Sequence, residues 1–326
     1  MDIWHGLNEV PENFDRSIAT VGFFDGVHRG HQELIRTAVA AAKSKGLPCV
    51  LVTFDPHPRA VFAPGTEPAA LLSVERKAEL AGALGVDHML VVPFTKEFAA
   101  LSPEQFVGDI LHDALGAQEV FVGDNFTYGS KAAGTAKTLP GHASAHGMSA
   151  TIVDLLEQTD ETVSSTRIRR ELAEGRVDIA AELLGRPHRL TGEVINGQGR
   201  GGAQLGFPTA NLDLSEGTAV PVDGVYAAWF AVTDGPVRTG SDPDGDMLLG
   251  VKYPAAVSVG TNSTFDATER TVEAHVIGRS ADLYGLTGHL DFVGFIRGMV
   301  KFDNVDDLID QMNADVRTAM ELLGEN

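Results

Sequence analysis

A single cysteine, Cys49, occurs among the 326 residues of the chain. No intrachain disulfide can form, and a zinc cluster built on cysteine thiolates is excluded. Basic residues are scarce as well: 25 Lys and Arg stand against 45 Asp and Glu, a formal charge of −20. So acidic a chain lacks the broad basic face that grips a nucleic-acid backbone, and no nucleic-acid partner is expected. Its field favours solubility and repels anions from most of the surface, so an anionic substrate has to be met by a locally positive site. Long apolar runs are missing too. The longest, Val225–Val232, falls far short of the roughly 18 residues that suggest a spanning helix, and no membrane partner is expected. Met1–Pro11 carries acids and has no apolar core, unlike a signal peptide. The expected location is the cytoplasm.

What is present suits two folded domains. The length exceeds one typical domain, and 43% apolar with 21% charged residues is enough to bury a core. In the first half, strand-like runs at Ile18–Phe24, Val50–Phe54, Met89–Pro93, Val120–Val122 and Ala150–Leu155 alternate with helical patterns at His31–Ser44, Val74–Leu84, Pro103–Leu115 and Arg167–Glu174. This rhythm predicts an α/β domain, a mostly parallel sheet with helices on both faces and ligands beyond the strand C-termini. After a helical Val177–Leu184, Gly185-Arg186-Pro187 marks a break. Short, glycine-punctuated strands then predict a small antiparallel barrel. Apolar residues from Val305 to Leu323 recur at helical spacing, with Asp303 as N-cap and Gly324 as stop. The acidic segment Gly235–Leu248 reads as a floppy hairpin tip. The domains are therefore placed at 1–184 and 185–326, each with a net charge of −10.

Four segments of the first half stand where ligand loops belong. Strand Ile18–Phe24 runs into Asp25-Gly26-Val27-His28-Arg29-Gly30-His31. Unpaired N–H groups at the start of a helix attract anions. Gly30 lets backbone approach, and two imidazoles three residues apart can both reach one phosphate. A chance His-x-x-His or a metal pair is the competing reading, and no further ligands cluster nearby. Ser164-Ser165-Thr166-Arg167-Ile168-Arg169 forms an anion cradle or a plain cap with solvated arginines. Gly123–Gly129 and Phe54–Pro58 also follow strands.

Together these residues resemble one family. Gly22–His31 is similar to the first fingerprint of the FMN adenylyltransferase domain of prokaryotic bifunctional FAD synthetases, which are HxGH nucleotidyltransferases with a Rossmann-like fold. Phe54–Pro58, Gly123–Gly129 and Ser164–Arg169 match its later motifs in order and spacing. The resemblance assigns His28 and His31 to the ATP phosphates and Asn125 to the reacting groups. Ser164, Ser165, Thr166 and Arg169 would hold phosphates, with Gly22, Phe24 and Gly30 shaping the nucleotide loop. FMN phosphate would attack the ATP α-phosphorus, giving FAD and pyrophosphate.

The second half carries Gly197-Gln198-Gly199-Arg200-Gly201-Gly202 ahead of Phe207-Pro208-Thr209-Ala210-Asn211. The glycines suit exposed amides, a mobile lid or an ordinary hairpin loop equally. In extended chain Thr209 and Asn211 point to one face, and their oxygens are hard ligands suited to Mg2+ with bound phosphate. Glu273 and His275 share a strand face, which for a strand Glu is ordinarily a solvated one. This half is similar to the riboflavin kinase domain of the same family, through Gly199–Asn211, Gly224–Ala227, Ser258–Asn262, Val272–Val276, Asp282–Gly285 and Phe292–Phe302. The resemblance implies that Thr209 and Asn211 hold Mg-ATP and that Glu273 is the base for riboflavin phosphorylation to FMN and ADP. Gly199, Gly201, Phe207 and Pro208 would contact the nucleotide and Arg297 the flavin. Ser263 replaces the Pro the family usually carries there. Relatives can associate, and a homo-oligomer is left open. A chain with one active module, or a non-catalytic flavin-binding protein, is the alternative; intact motifs in both halves speak against each.

Overall fold

The chain divides into two units, Met1–Ser165 and Thr166–Asn326. The structure is a computed structural model and describes residues 1–154, 156–158, 161–196, 207–264 and 267–325.

The first unit is built on six parallel strands: β1 (Asp2–His5), β2 (Ser17–Val21), β3 (Cys49–Asp55), β4 (His88–Pro93), β5 (Ala117–Gly123) and, after a short ribbon of β6 (Thr127–Tyr128) and β7 (Gly134–Thr135), β8 (Ser149–Val153). Their order is β1-β4-β3-β2-β5-β8. A second ribbon pairs β9 (Glu157–Gln158) with β10 (Glu161–Thr162). Helices α1 (Arg29–Lys45), α2 (Pro58–Phe62), α3 (Val74–Ala83), α4 (from Pro103, widening into π turns over Phe106–Ala114) and α5 (Leu139–Ala145) connect the strands. Parallel strands covered on both faces need near-continuous apolar sequence, and all five residues of β2 are buried. The faces separate by the two-residue strand period. Cys49 and Leu51 pack with Leu34, Ile35 and Ala38 of α1, whereas Val50 and Val52 pack with Phe106, Ile110 and Leu139. The chain leaves β2 toward β3 on one side, while β5 pairs on its other side. Such a reversal of strand order opens a crevice at the strand C-termini.

In the second unit, α6 (Ser165–Ala173) and α7 (Val177–Leu184) precede a closed antiparallel barrel of β11 (His188–Ile195), β12 (Ala210–Leu214), β13 (Gly224–Thr233), β14 (Tyr253–Thr264), β15 (Ala267–Val276) and β16 (Thr287–Arg297). The barrel order is β11-β12-β15-β14-β13-β16, with β16 returning to β11. Helix α8 (Val305–Leu323) packs on β13, β14 and β16.

The expected α/β domain followed by a barrel and a terminal helix is observed. Within the second unit α7 packs on β16 and β11, and the Val222 amide donates to the Leu172 carbonyl. Two local expectations change. The N-cap of α8 is Asn304, not Asp303: its side chain accepts from the Asp307 amide, three residues on. The acidic segment 235–248 is pinned rather than floppy. Arg238 donates to the Asp282 carbonyl, and the Ser280 amide donates to Asp246.

Candidate functional sites

In the first unit the turn after β2 is the unusual piece of backbone. Phe24, Gly26 and Val27 have φ of 52°, 82° and 37°. Only glycine takes that region freely. Phe24 and the β-branched Val27 each cost about 1–3 kcal/mol there, so neighbours must hold them. The holders are visible. The Leu71 amide donates to Asp25 Oδ1 at 3.0 Å, and Ser165 Oγ donates to the Asp25 carbonyl at 2.7 Å. Gln32 Nε2 closes the turn on the Val27 carbonyl at 2.9 Å. Gly22 packs under the Phe24 ring, where an added Cβ would lie 3.2 Å from ring carbon.

The turn delivers His28 and His31 to the N-terminus of α1. His28 is the N-cap: its Nδ1 accepts from the His31 amide at 3.3 Å. An accepting Nδ1 carries no proton, so in neutral His28 the proton sits on Nε2, which then donates. The two imidazoles stack with centroids 3.6 Å apart and planes 17° apart. The Phe24 ring, itself buried, meets His31 edge-on at 5.3 Å. An added Cβ on Gly30 would touch the His28 ring at 3.4 Å, so glycine leaves that ring its room. Burial, then the neighbouring His28 and the Lys77 ammonium, hold the His31 imidazole well below the usual histidine range. Its Nδ1 is enclosed with no hydrogen-bond partner among the described residues. A neutral imidazole with an orphaned nitrogen at a helix N-terminus is a hydrogen-bonding group waiting for a ligand atom.

Asn125 leaves the end of β5, the strand beside β2, and is exposed. Ser165 is tied to the same turn through Asp25, and Ser164 precedes it half-buried. Gly22, Phe24, His28, Gly30, His31 and Ser165 are thus gathered at one strand end. Thr166 and Arg169 belong to α6 of the second unit. There the buried Glu171 receives Arg170 at 3.1 Å and also pairs with Arg176 and Arg167. Sequence reasoning passed over Lys77, a buried lysine on α3. Its signal was available: a cation on the stripe that Ala78 and Ala81 mark as the inner face of that helix.

The barrel brings a second set together by register. Asn211 of β12 stands directly opposite Glu273 of β15, and Glu273 opposite Ser258 of β14. The row continues through Val225 to Arg297. Directly opposed residues project to one face. Here it is the outer face, since Ala210, Leu212, Val272 and Ala274 point into the core and Asn211 and Glu273 are half-buried between them. His275 Nδ1 lies 3.0 Å from the Pro208 carbonyl, and its ring meets Phe207 edge-on at 5.1 Å. These contacts anchor the segment entering β12, where Thr209 sits. Pro208 and Thr209 line a cavity of about 110 Å³ together with Met247, Arg279, Ser280 and Tyr284. The Arg297 guanidinium is committed: Nε and a terminal nitrogen donate to both oxygens of Asp315 at 2.8 and 2.7 Å. Gly199 and Gly201 lie outside the described residues.

Comparison with known proteins follows the same division. The FAD synthetase family model matches residues 10–167 and the riboflavin kinase model residues 184–323. The chain belongs to the bifunctional riboflavin kinase/FMN adenylyltransferase family. Proteins so named from Listeria monocytogenes and Bacillus subtilis are 37% and 33% identical. The first match covers 96% of this chain and 92% of that protein, the second 98% and 96%. The Escherichia coli K12 member is 31% identical over 98% of this chain and 96% of its own. A crystal structure from Streptococcus pneumoniae, described as a macrolide-efflux protein, superposes with a TM-score of 0.83 at 32% identity, covering 97% of both chains. Among the described residues of this family member no helix is long and apolar enough to cross a membrane.

Proposed function

We propose that the chain makes FAD from riboflavin in two steps: the barrel phosphorylates riboflavin to FMN with ATP, and the first domain transfers adenylyl from a second ATP to FMN, releasing pyrophosphate. The observation that carries this reading is that each half assembles its own motif. His28 stacks on His31 at the head of α1, and Asn211 faces Glu273 across the barrel ladder. As functional domains we assign 1–184 to FMN adenylyltransferase and 185–326 to riboflavin kinase. Thr166 and Arg169 go with the first activity by motif, even though α6 packs with the second unit.

In the kinase step Glu273 accepts the proton of the riboflavin hydroxyl as that oxygen attacks the γ-phosphorus and ADP leaves. Thr209 and Asn211 offer hard oxygen donors of the kind Mg2+ takes, with substrate phosphates and water as its other ligands. The ion would neutralise charge on the transferring phosphoryl group. Arg279 and Tyr284, lining the cavity beside Thr209, suit the nucleotide. Phe207 and Pro208 carry Thr209 to it, while Gly199 and Gly201 are assigned to the nucleotide and Arg297 to the flavin by their motifs.

In the adenylyl step no protein nucleophile is needed. The FMN phosphate attacks the ATP α-phosphorus in line. His28 and a neutral His31 donate hydrogen bonds to the phosphates, and the α1 N-terminus adds its amides. Asn125 meets the reacting groups, while Ser164, Ser165, Thr166 and Arg169 hold phosphate oxygens. Phe24 seats His31, and Gly22 and Gly30 keep the loop close to the nucleotide. Chromatography of the products from riboflavin, ATP and Mg2+ tests the reading. FMN should rise first and FAD follow. Accumulation of FMN without FAD, or no turnover of riboflavin, would refute it.

A further inference from the structure

Lys77 has no role in the scheme above, yet it is one of the most enclosed charges in the chain. It is 4% exposed on α3, where lysine is ordinarily at the surface. Its ammonium donates to the Phe23 carbonyl at 2.8 Å and to Thr53 Oγ1 at 3.0 Å, and it sits 4.9 Å from the centre of the Phe23 ring. Thr53 Oγ1 in turn donates to the same Phe23 carbonyl at 3.0 Å. The three groups make a closed triangle joining α3, the end of β3 and the first residue before the turn of positive φ. Burial pulls the ammonium down to about 8, against the opposing effect of Asp25 and Asp55. A methionine of similar length would fill the space without that cost.

We propose that Lys77 is a positioning residue of the adenylyl-transfer site: its ammonium clamps the Phe23 carbonyl and so fixes the strained turn that delivers His28 and His31. The inference rests on the phosphate-binding role assigned above to the two histidines. Asp25 is held by Leu71 and Ser165, and Val27 by Gln32. Phe23, where the turn begins, is held by Lys77 and Thr53. The clamp is also electrical. The charged groups acting on His31 are His28, the N-cap of its own helix, and Lys77 on α3, and Lys77 in turn feels Asp25 on the turn and Asp55 at the end of β3. The lysine adds to burial and to His28 in holding the His31 imidazole in its neutral, hydrogen-bond-donating form.

The full-length chain is assayed for FAD formation from supplied FMN and Mg-ATP, as wild type, Lys77→Met, Thr53→Val and His28→Ala. Lys77→Met should lower kcat about 10- to 100-fold, the scale of a small misplacement of catalytic groups, with the substrate KM values little changed. It should also move the acid limb of the pH–kcat profile to higher pH, because a cation beside His31 is gone. Thr53→Val breaks the triangle but keeps the charge, so it should lower kcat and leave the acid limb in place. Riboflavin phosphorylation by the same preparations should be unchanged. Wild-type kcat and pH profile in Lys77→Met would overturn the proposal, as would equal loss of both activities. If Lys77→Met does not fold, Thr53→Val decides, and a wild-type kcat there overturns the clamp. Wild-type FAD formation in His28→Ala would instead remove the reading on which the proposal rests.

Discussion

His188 opens the barrel and is the chain's clearest acid-sensitive group. It lies at the first position of β11, 2% exposed, with Nε2 2.8 Å from the Ala219 carbonyl. Burial lowers its pKa from 6.5 to about 4. The Ala219 carbonyl and Asp291 oppose that shift and Arg186 adds to it. Above pH 6.5 the ring is neutral in both folded and unfolded chains and contributes no pH dependence. Below 6.5 the unfolded chain takes up a proton that the folded barrel refuses until about pH 4. Stability therefore falls as the pH drops through that window, by up to 1.36 kcal/mol per pH unit. Between pH 7 and 4.5 the loss from this one group is about 2.5 kcal/mol. His188→Gln keeps an N–H donor for Ala219 but cannot titrate. The variant should be less stable than wild type at pH 7, and the gap should close by about 2.5 kcal/mol at pH 4.5. Urea unfolding read by Trp229 fluorescence measures this. Trp229 lies on β13 of the barrel, and Trp4→Phe removes the only other tryptophan. A gap that stays constant to within about 0.5 kcal/mol over that range would refute the argument, because it would mean that the buried ring does not resist protonation.

Other consequences are as direct. Glu273→Ala should cut FMN formation by about 100- to 10,000-fold while sparing FAD formation from supplied FMN. His28→Ala should do the reverse, and a chromatographic assay of both products separates the two. Asp315→Ala leaves Arg297, one-fifth exposed, without its bidentate partner. It should lower barrel stability by about 2–3 kcal/mol, below the full cost of breaking a buried pair, and weaken the docking of α8 in hydrogen exchange. Gly116→Ala places a Cβ 2.0 Å from the Asp15 carbonyl oxygen at a φ of +54°. It should destabilise the first unit by about 3 kcal/mol in a thermal melt.

Much of this architecture is legible in sequence because buried parallel strands have little freedom of composition. Val50–Phe54 and Met89–Pro93 are apolar on both faces, and the structure extends them by only a residue or so, to Cys49–Asp55 and His88–Pro93. The helix Val177–Leu184 ends as expected because Gly185 takes φ of 70°. Edge elements escape that constraint. Asp2–His5 lies in a stretch that carries acids and has no apolar core, yet it pairs with β4, since an edge strand needs backbone partners rather than two apolar faces. Strand Ile18–Phe24 stops at Val21 because Phe24 turns left-handed, and no residue type announces that. The histidine pair is visible as a motif; its stacking and the enclosed Nδ1 of His31 are not. Equally hidden are partners distant in sequence, such as Lys77 with Phe23 and Arg297 with Asp315. Only the fold brings those together.

The charge of −20 poses the question that the two sites must answer, since both handle anions. Acids are missing from the loops concerned: none lies between Asp25 and Glu33, and none between Asp124 and Asp154. The structure adds what happens at the boundary of the first gap. Asp25 is 4% exposed, with one carboxylate oxygen accepting from the Leu71 amide, and the Lys77 ammonium feels its charge. That acid is therefore turned inward and put to structural use, holding the turn that precedes the two histidines. In the barrel the logic is opposite. Glu273 stays half-buried on the outer face beside Asn211, where a carboxylate can take a proton and an oxygen-ligated cation can offset its charge. With the roles proposed above, one carboxylate is hidden where group transfer would need no base, and the other is displayed where a base would be needed.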